Sequence, residues 1–382
     1  MPTVATENAM YPQGADTRFR EPAGQYLVRR ADVTDRDQLV RLISMMENIG
    51  DATARYEWMY ASNPHGFAQS WIALDQETGH AVGCTSFFPR KLLIDGVVHQ
   101  AALGGDAFVE PHARRRGLAK ALHRASFATY HQGDAELMYG PPKDNNLEAL
   151  IKAGAHFIGR VENCFRVLSI PALHRIPAYY RSASRRSGKD LTKLLTHLPR
   201  ILLRQSSAPK GSVVPVTLEP VERFDSEFDR LFEQCAAGYR ILGVRDSEYL
   251  NWRYLAAPRR RQFPFAARSS GKLIGMAVLE FFSDRAEIVD LFTFSQDEYL
   301  DGVLNALIAK ARAKKWCVLS ATCISGSLLS RYLRSRSFRP AKSAGFQVAM
   351  TGDHPAPAHL LDPAAWHYTL ADSDTDAYLP GP

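Results

Sequence analysis

The sequence predicts a mixed α/β fold, a mixed sheet with helices on both faces, repeated in two consecutive units. Three observations carry this. Apolar runs of strand length alternate with segments of helical period. That order stops in a basic stretch punctuated by Pro171, Pro177, Pro199, Pro209 and Pro215, and then begins again. A pattern W-x-Y-x-x-x-P occurs at Trp58, Tyr60 and Pro64 and again at Trp252, Tyr254 and Pro258, each copy just before a unit's hairpin. The length, 382 residues, suits two domains of ordinary size.

Residues 1–24, rich in Pro, Gly and polar side chains, read as a loose leader. The first unit, 25–170, opens with a strand at 26–30. Thr34 then reads as a helix cap, with Asp35 and Asp37 in the first turn and Leu39, Leu42, Ile43 and Met46 at helical spacing. Apolar runs at 70–74 and 81–88 flank Glu77-Thr78-Gly79, a hairpin connection. Strand follows over 97–109, helix over 118–131, strand over 136–139, a short helix over 146–153 and a closing β segment over 157–168.

The stretch 171–212 is strongly basic, and Leu191, Leu194, Leu195, Leu198, Ile201 and Leu202 allow a short amphipathic helix in it. It reads either as an inter-domain linker with a solvated face or as a patch for a membrane surface or an acidic partner. The second unit, 213–352, repeats the alternation: strand 213–218, helix 224–235, strands 263–268 and 273–282 joined at Ser269-Ser270-Gly271, strand 286–294, and helix 299–313. Segments 318–321, 328–333 and 346–350 complete it, and 353–382 is left as a C-terminal tail. The repeated Trp and Tyr read as anchors closing two cores or as lining of a substrate groove.

Composition bounds the function. An apolar fraction of 46% and a charged fraction of 23% are those of a soluble globular protein. No apolar run is long enough to span a bilayer, and residues 1–20 lack the apolar core of a secretion signal, so the expected location is the cytoplasm. Cys84, Cys164, Cys235, Cys317 and Cys323 show neither a disulfide framework nor zinc-ligand spacing, and no metal is expected. A net charge of +7 suits an anionic partner without choosing one.

The segment from Gly104 to Ala121 chooses. A strand ends near Val109, and a polar turn with three arginines leads into a helix at Gly117. The first turn of a helix carries unpaired N–H groups and the positive end of the dipole, which together attract phosphate. Gly117 lets a pyrophosphate approach the main chain, Ala119 keeps the next turn bare, and Arg114, Arg115 and Arg116 add charge-assisted hydrogen bonds. The triplet alone would also suit a solvated loop or a nucleic-acid contact. No G-K-[ST] follows, and one glycine stands where a dinucleotide fingerprint needs three.

Arg114-Arg115-Arg116-Gly117-Leu118-Ala119 matches the Gln/Arg-x-x-Gly-x-Gly/Ala signature of the GNAT acyltransferase superfamily, which the chain resembles over about 26–170 and, in topology, over 213–350. The whole looks like the tandem-GNAT proteins found among bacterial acyltransferases, some associated with polysaccharide or envelope pathways. The closing Trp366-His367-Tyr368-Thr369-Leu370-Ala371-Asp372-Ser373-Asp374 is also familiar from that group, without a chemistry attached to it.

The resemblance implies acetyl-CoA or another acyl-CoA as co-substrate and direct attack of an amine on the thioester. It places the pyrophosphate on 114–119, the pantetheine arm on the strand edge at Phe108 and Val109, and a hydrogen bond to the arm at Asn145 or Asn146. Asp106 is the leading candidate base, with capping of neighbouring N–H groups as its other reading, and Glu110 is the second. Many members carry a tyrosine acid after the Asn, and 146–154 has none, so the acid is unassigned.

In the second unit the turn reads Phe294-Ser295-Gln296-Asp297-Glu298-Tyr299, with two acids where phosphate would sit, and it is expected not to bind coenzyme A. The expected acceptor is a small primary amine such as an amino sugar or amino acid. Nucleic acid and stable membrane insertion are not expected; a homodimer is compatible with the sequence. Aminoacyl transfer to an envelope precursor and a non-catalytic coenzyme-binding sensor or scaffold are the competing readings.

Overall fold

The computed structural model describes residues 21–46, 49–130, 135–142, 147–152, 154–168, 214–258, 261–282, 285–340, 345–351 and 358–374. The basic stretch 171–212, most of the leader, Asn145 and Asn146 lie outside them.

In chain order the elements are β1 (Glu21–Ala23), β2 (Tyr26–Arg30), α1 (Arg36–Ser44), α2 (Ala52–Arg55), β3 (Gln69–Asp75), β4 (Ala81–Ile94), β5 (Val97–Val109), α3 (Leu118–Thr129), β6 (Leu137–Gly140), α4 (Leu147–Lys152) and β7 (His156–Val167). The second half adds β8 (Thr217–Pro220), α5 (Ser226–Ala236), β9 (Ile241–Gly243), α6 (Ser247–Leu250), β10 (Gln262–Ser269), β11 (Lys272–Phe281), β12 (Arg285–Thr293), α7 (Asp297–Ala313), β13 (Val318–Ile324), α8 (Leu328–Ser335), β14 (Arg339–Pro340), β15 (Phe346–Thr351) and β16 (Trp366–His367). The start of α1 corrects one expectation. Asp32, not Thr34, caps the opening turn: its carboxylate accepts from Thr34 N, and Asp35 reaches back to the Asp32 N–H in a capping box.

Each half is an antiparallel meander whose last strand, β5 or β12, pairs parallel with the next, β6 or β13, across a helix, α3 or α7. The halves are not separate sheets. The strands join in one sheet whose main path runs β1-β2-β3-β4-β5-β6-β15-β7-β13-β12-β11-β10-β8, with β14 on β7, β9 on β4 and β16 on β9 off that path, because the closing strands are exchanged. From the second half, β15 pairs antiparallel with β6, and β7 of the first half pairs antiparallel with β13.

The repeated aromatic motif sits where the halves meet. Trp58 Nε1 donates to the Trp252 carbonyl at 2.9 Å, Trp252 Nε1 donates to the Trp58 carbonyl at 3.0 Å, and the rings lie 5.2 Å apart. This reciprocity is that of a local two-fold axis. Both motifs lie in π-helical turns, Tyr56–Ala61 and Asn251–Leu255. The two tryptophans therefore join the units to one another, and neither anchors its own core alone.

The repeated tyrosines match as well. Tyr60 donates to Asp106 at 2.7 Å and Tyr254 donates to Asp290 at 2.9 Å. Each aspartate lies at a bulge, of β5 against β4 and of β12 against β11. A bulge re-aims the side chain it carries. Here it turns a strand carboxylate toward a tyrosine from the preceding π turn.

The C-terminal stretch is buried between the halves. Trp366 and Tyr368 belong to a core cluster containing Leu103 and Tyr139 of the first half with Tyr249 and Trp252 of the second. The His367 imidazole is buried and its pKa is pushed down to about 4, by burial and then by the Arg245 charge. His65, stacked on Tyr249, is pushed down to about 2 by burial, then by Arg90 and Lys91.

Both histidines fold neutral and have lowered folded-state pKa values, so the stability they contribute is present above about pH 6.5 and lost as the pH falls. Lowering the pH from 7 to 5 costs about 2 kcal/mol for His367 alone. Urea unfolding at the two pH values should show a drop smaller by that amount in His367→Gln; an equal drop in both proteins would contradict the assignment. Among the described residues no helix is long and apolar enough to cross a membrane.

Candidate active site

The arginine turn stands as an exposed N-terminus of α3. Gly117 is its N-cap residue at φ +81°, no side chain caps the helix, and no acidic residue lies in its first turn. The free N–H groups of that turn are therefore directed at solvent. A Cβ on Gly117 would meet nothing within 4 Å, so space is open there and the left-handed φ is what selects glycine.

Behind the turn, Leu118 is buried against Ala113 and Leu122, which fixes the helix start in the core. The guanidinium of Arg114 donates from Nε to the Val109 carbonyl at 2.9 Å and lies over the Phe108 ring. Arg116 donates to Gln25 at 3.1 Å and lies over Tyr26. Arg115 takes φ +62°. Arg114, Arg115, Arg116 and Ala119 are all exposed.

Beside the turn, β5 leaves β6. Their last paired residues are Leu103 and Tyr139, so among the described residues no strand pairs with the edge from Gly104 to Val109 on that side. Ala107 is exposed, and Phe108 and Val109 are half-buried. Gly140 holds φ +159° with its Cβ position 3.4 Å from the Gly104 carbonyl, a close approach just where the strands part.

The two candidate bases are both committed to cations. The Asp106 carboxylate is buried and takes Arg55 Nη2 at 2.7 Å, Arg55 Nε at 3.1 Å and the Tyr60 hydroxyl at 2.7 Å. The second half has the same device, with Asp290 taking Tyr254 and, at 3.0 Å, Arg245 Nη2. A pairing that recurs in both halves, including the one with no phosphate turn, reads as a means of holding the bulge. Glu110 meets Arg41 at 2.8 Å and His112 at 3.3 Å.

The helix α4 carries no tyrosine. Tyr139 on β6 is fully buried, and burial raises its hydroxyl pKa. Glu162, Cys164 and Cys323 bring their ligand atoms within 4.8 Å of one another, but Arg334 spans both oxygens of Glu162 at 2.8 Å, so that carboxylate is already neutralised.

The equivalent place in the second half is covered. His367 Nε2 donates to the Leu291 carbonyl at 2.8 Å, Thr369 Oγ1 donates to Asp290 at 3.0 Å, and Asp290, Leu291, Phe292 and Thr293 are all buried. The helix α7 starts with Asp297 and Glu298. Sequence reasoning did not assign this covering role to the C-terminal segment. Its one local signal is the capping-box spacing of Thr369 and Asp372, which the structure uses.

A bare helix start beside a splayed pair of parallel strands is the architecture of the GNAT acyltransferases. Residues 28–146 match the family model of the acetyltransferase (GNAT) domain, and this part of the chain is a GNAT domain. No curated protein matches the sequence.

Among solved structures, a probable N-acyltransferase from Enterococcus faecalis V583 is similar at 15% identity and TM-score 0.60, over 86% of this chain and 73% of that one. A GCN5-related N-acetyltransferase from Anabaena variabilis is similar at 15% identity and TM-score 0.57, over 85% of this chain and 72% of that one. Saccharomyces cerevisiae N-myristoyltransferase, solved with bound myristoyl-CoA, is similar at 12% identity and TM-score 0.55, over 87% and 84%. At these identities the likeness is one of fold, and it extends over both halves. Acyl transfer is the general chemistry that the GNAT domain supports.

Proposed function

We propose that the protein is an acetyl-CoA-dependent N-acyltransferase that acts on a small primary amine. One contrast carries the reading: the first half pairs a helix start free of acidic residues with an uncovered strand edge, whereas the second half has Asp297 and Glu298 at its helix start and its strand edge covered by the C-terminal segment. In this reading the pyrophosphate rests on the N–H groups that open α3, with Arg114, Arg115 and Arg116 around it. The pantetheine arm lies along β5 at Phe108 and Val109, and the resemblance assigns it a hydrogen bond from Asn145 or Asn146, which lie outside the described residues.

The acyl group then falls near the bulge at Asp106. That carboxylate already accepts from Arg55 and Tyr60, so it holds the bulge and does not take the amine's proton. The test is release of free thiol from acetyl-CoA in the presence of a panel of amino sugars and amino acids. Amine-dependent thiol is expected. A folded chain that binds acetyl-CoA and releases no thiol with any amine would favour a binding protein.

A further inference from the structure

The strongly basic stretch has no part in the function proposed above, and the place where it leaves the fold is informative. Residues 171–212 hold nine Lys and Arg against one acid, Asp190, more net positive charge than the whole chain's +7. Leu168, just before them, donates its N–H to the Cys317 carbonyl at 2.8 Å, close to the end of α7. That end carries cations of its own. Arg312, Lys314 and Lys315 are exposed there, and Lys310 Nζ lies over the Phe265 ring, 4.3 Å from its centroid. Arg166, two residues before Leu168, has its pKa lowered by burial and then by the Arg312 charge. Two guanidiniums in mutual repulsion beside exposed lysines favour an anionic partner.

An aromatic face adjoins these cations. Phe263 of β10 stacks on Phe281 of β11, with centroids 4.5 Å and planes 10° apart. Phe281 in turn meets Trp316, the residue after Lys315, at 4.6 Å. Trp316 is buried, Phe281 is half-buried and Phe263 is 41% exposed, so the rings step outward from the core to solvent. Beside them Arg285 lies over the Phe282 ring, 4.2 Å from its centroid.

We propose that this end of the molecule, with Phe263, Lys314 and Lys315 at its centre, docks on an anionic membrane surface without crossing the bilayer. Phenyl rings without a polar handle, rimmed by Lys and Arg, suit the boundary between acyl chains and anionic headgroups. The sequence of 171–212 offers the same combination, with Leu191, Leu194, Leu195 and Leu198 interleaved among its cations. Its positive charge joins the fold beside the patch, which adds to the attraction of that side for anionic lipid. A nucleic acid would use the cations and the rings but has no use for those leucines, whereas a bilayer takes both. The docking is independent of which acyl group and which amine the transferase uses.

The experiment sediments the full chain with vesicles of phosphatidylcholine, alone and with phosphatidylglycerol added. It compares wild type, the double variant Lys314→Gln/Lys315→Gln, and Phe263→Ser. Wild type should bind the anionic vesicles and not the neutral ones, and salt should weaken the binding. The double variant should bind about 30-fold more weakly, at about fivefold for each charge lost near the surface. Phe263→Ser should lose about threefold or more. Urea midpoints check that both variants fold, and if Phe263→Ser does not, the exposed lysines decide alone. No vesicle binding by wild type, equal binding to neutral vesicles, or a folded double variant that binds as tightly as wild type would overturn the proposal. Retention of a DNA duplex or of polyglutamate in place of vesicles would overturn it in favour of a soluble polyanion.

Discussion

Gly117→Glu is expected to abolish measurable acetyl-CoA binding, raising Kd by about 100-fold or more. Two effects combine. The new carboxylate stands at the positive end of α3, in the open space where the helix N–H groups meet solvent. It competes with a pyrophosphate for those groups and for Arg114–Arg116, and loss of two charge-assisted bonds of about 1.5–3 kcal/mol each accounts for the factor. The φ of +81° adds about 1–2 kcal/mol of strain for any β-carbon, so Gly117→Asn, which tolerates that conformation, is the control. Calorimetry should show binding by the Asn variant and none by the Glu variant. Equal affinity in both would remove the turn from the site.

Arg245→Met should be the most destabilising single change near the interface, at about 3–5 kcal/mol. Arg245 is fully buried and holds Asp290 and Asp372 together, while also donating to the Gly243 carbonyl at 2.8 Å. Without it the buried Asp290 and Asp372 carboxylates face each other with Arg90 alone left beside Asp372, and the C-terminal segment loses one of its ties to the second half. The urea midpoint should fall at unchanged slope, and the segment around 366–374 should become sensitive to protease. A loss below about 1 kcal/mol would show that solvent or a neighbour replaces the guanidinium.

The parts legible in the sequence are those encoded locally. Strand and helix periods placed β3, β5, α3, α5, β10, β11, β12 and α7 near their observed bounds, while β4 runs on to Ile94, past its expected end, and β9 and α6 went unread. The turn at 114–117 announced itself through its own residues. Pairing partners are another matter. The exchange of β7 and β15 depends on contacts between residues distant in the chain, and no local pattern in either strand distinguishes the exchanged pairing from the unexchanged one.

Asp106 shows a second limit. A polar residue near a strand end reads as available, and only the fold reveals the Arg55 and Tyr60 brought to it. The stretch from Ala358 to Asp374 escaped for a third reason. It is built of short 3-10 turns and a two-residue strand, which have no period to detect, and its burial comes entirely from the two halves around it. The W-x-Y repeat lay between these cases, visible as a pattern and silent about its partner.

Calorimetric titration of acetyl-CoA into the wild-type chain tests the central claim most directly. The expected result is one molecule bound per chain, at the open first half. Two per chain would contradict the closure of the second half, and no binding to a folded chain would contradict the acyl-CoA site itself.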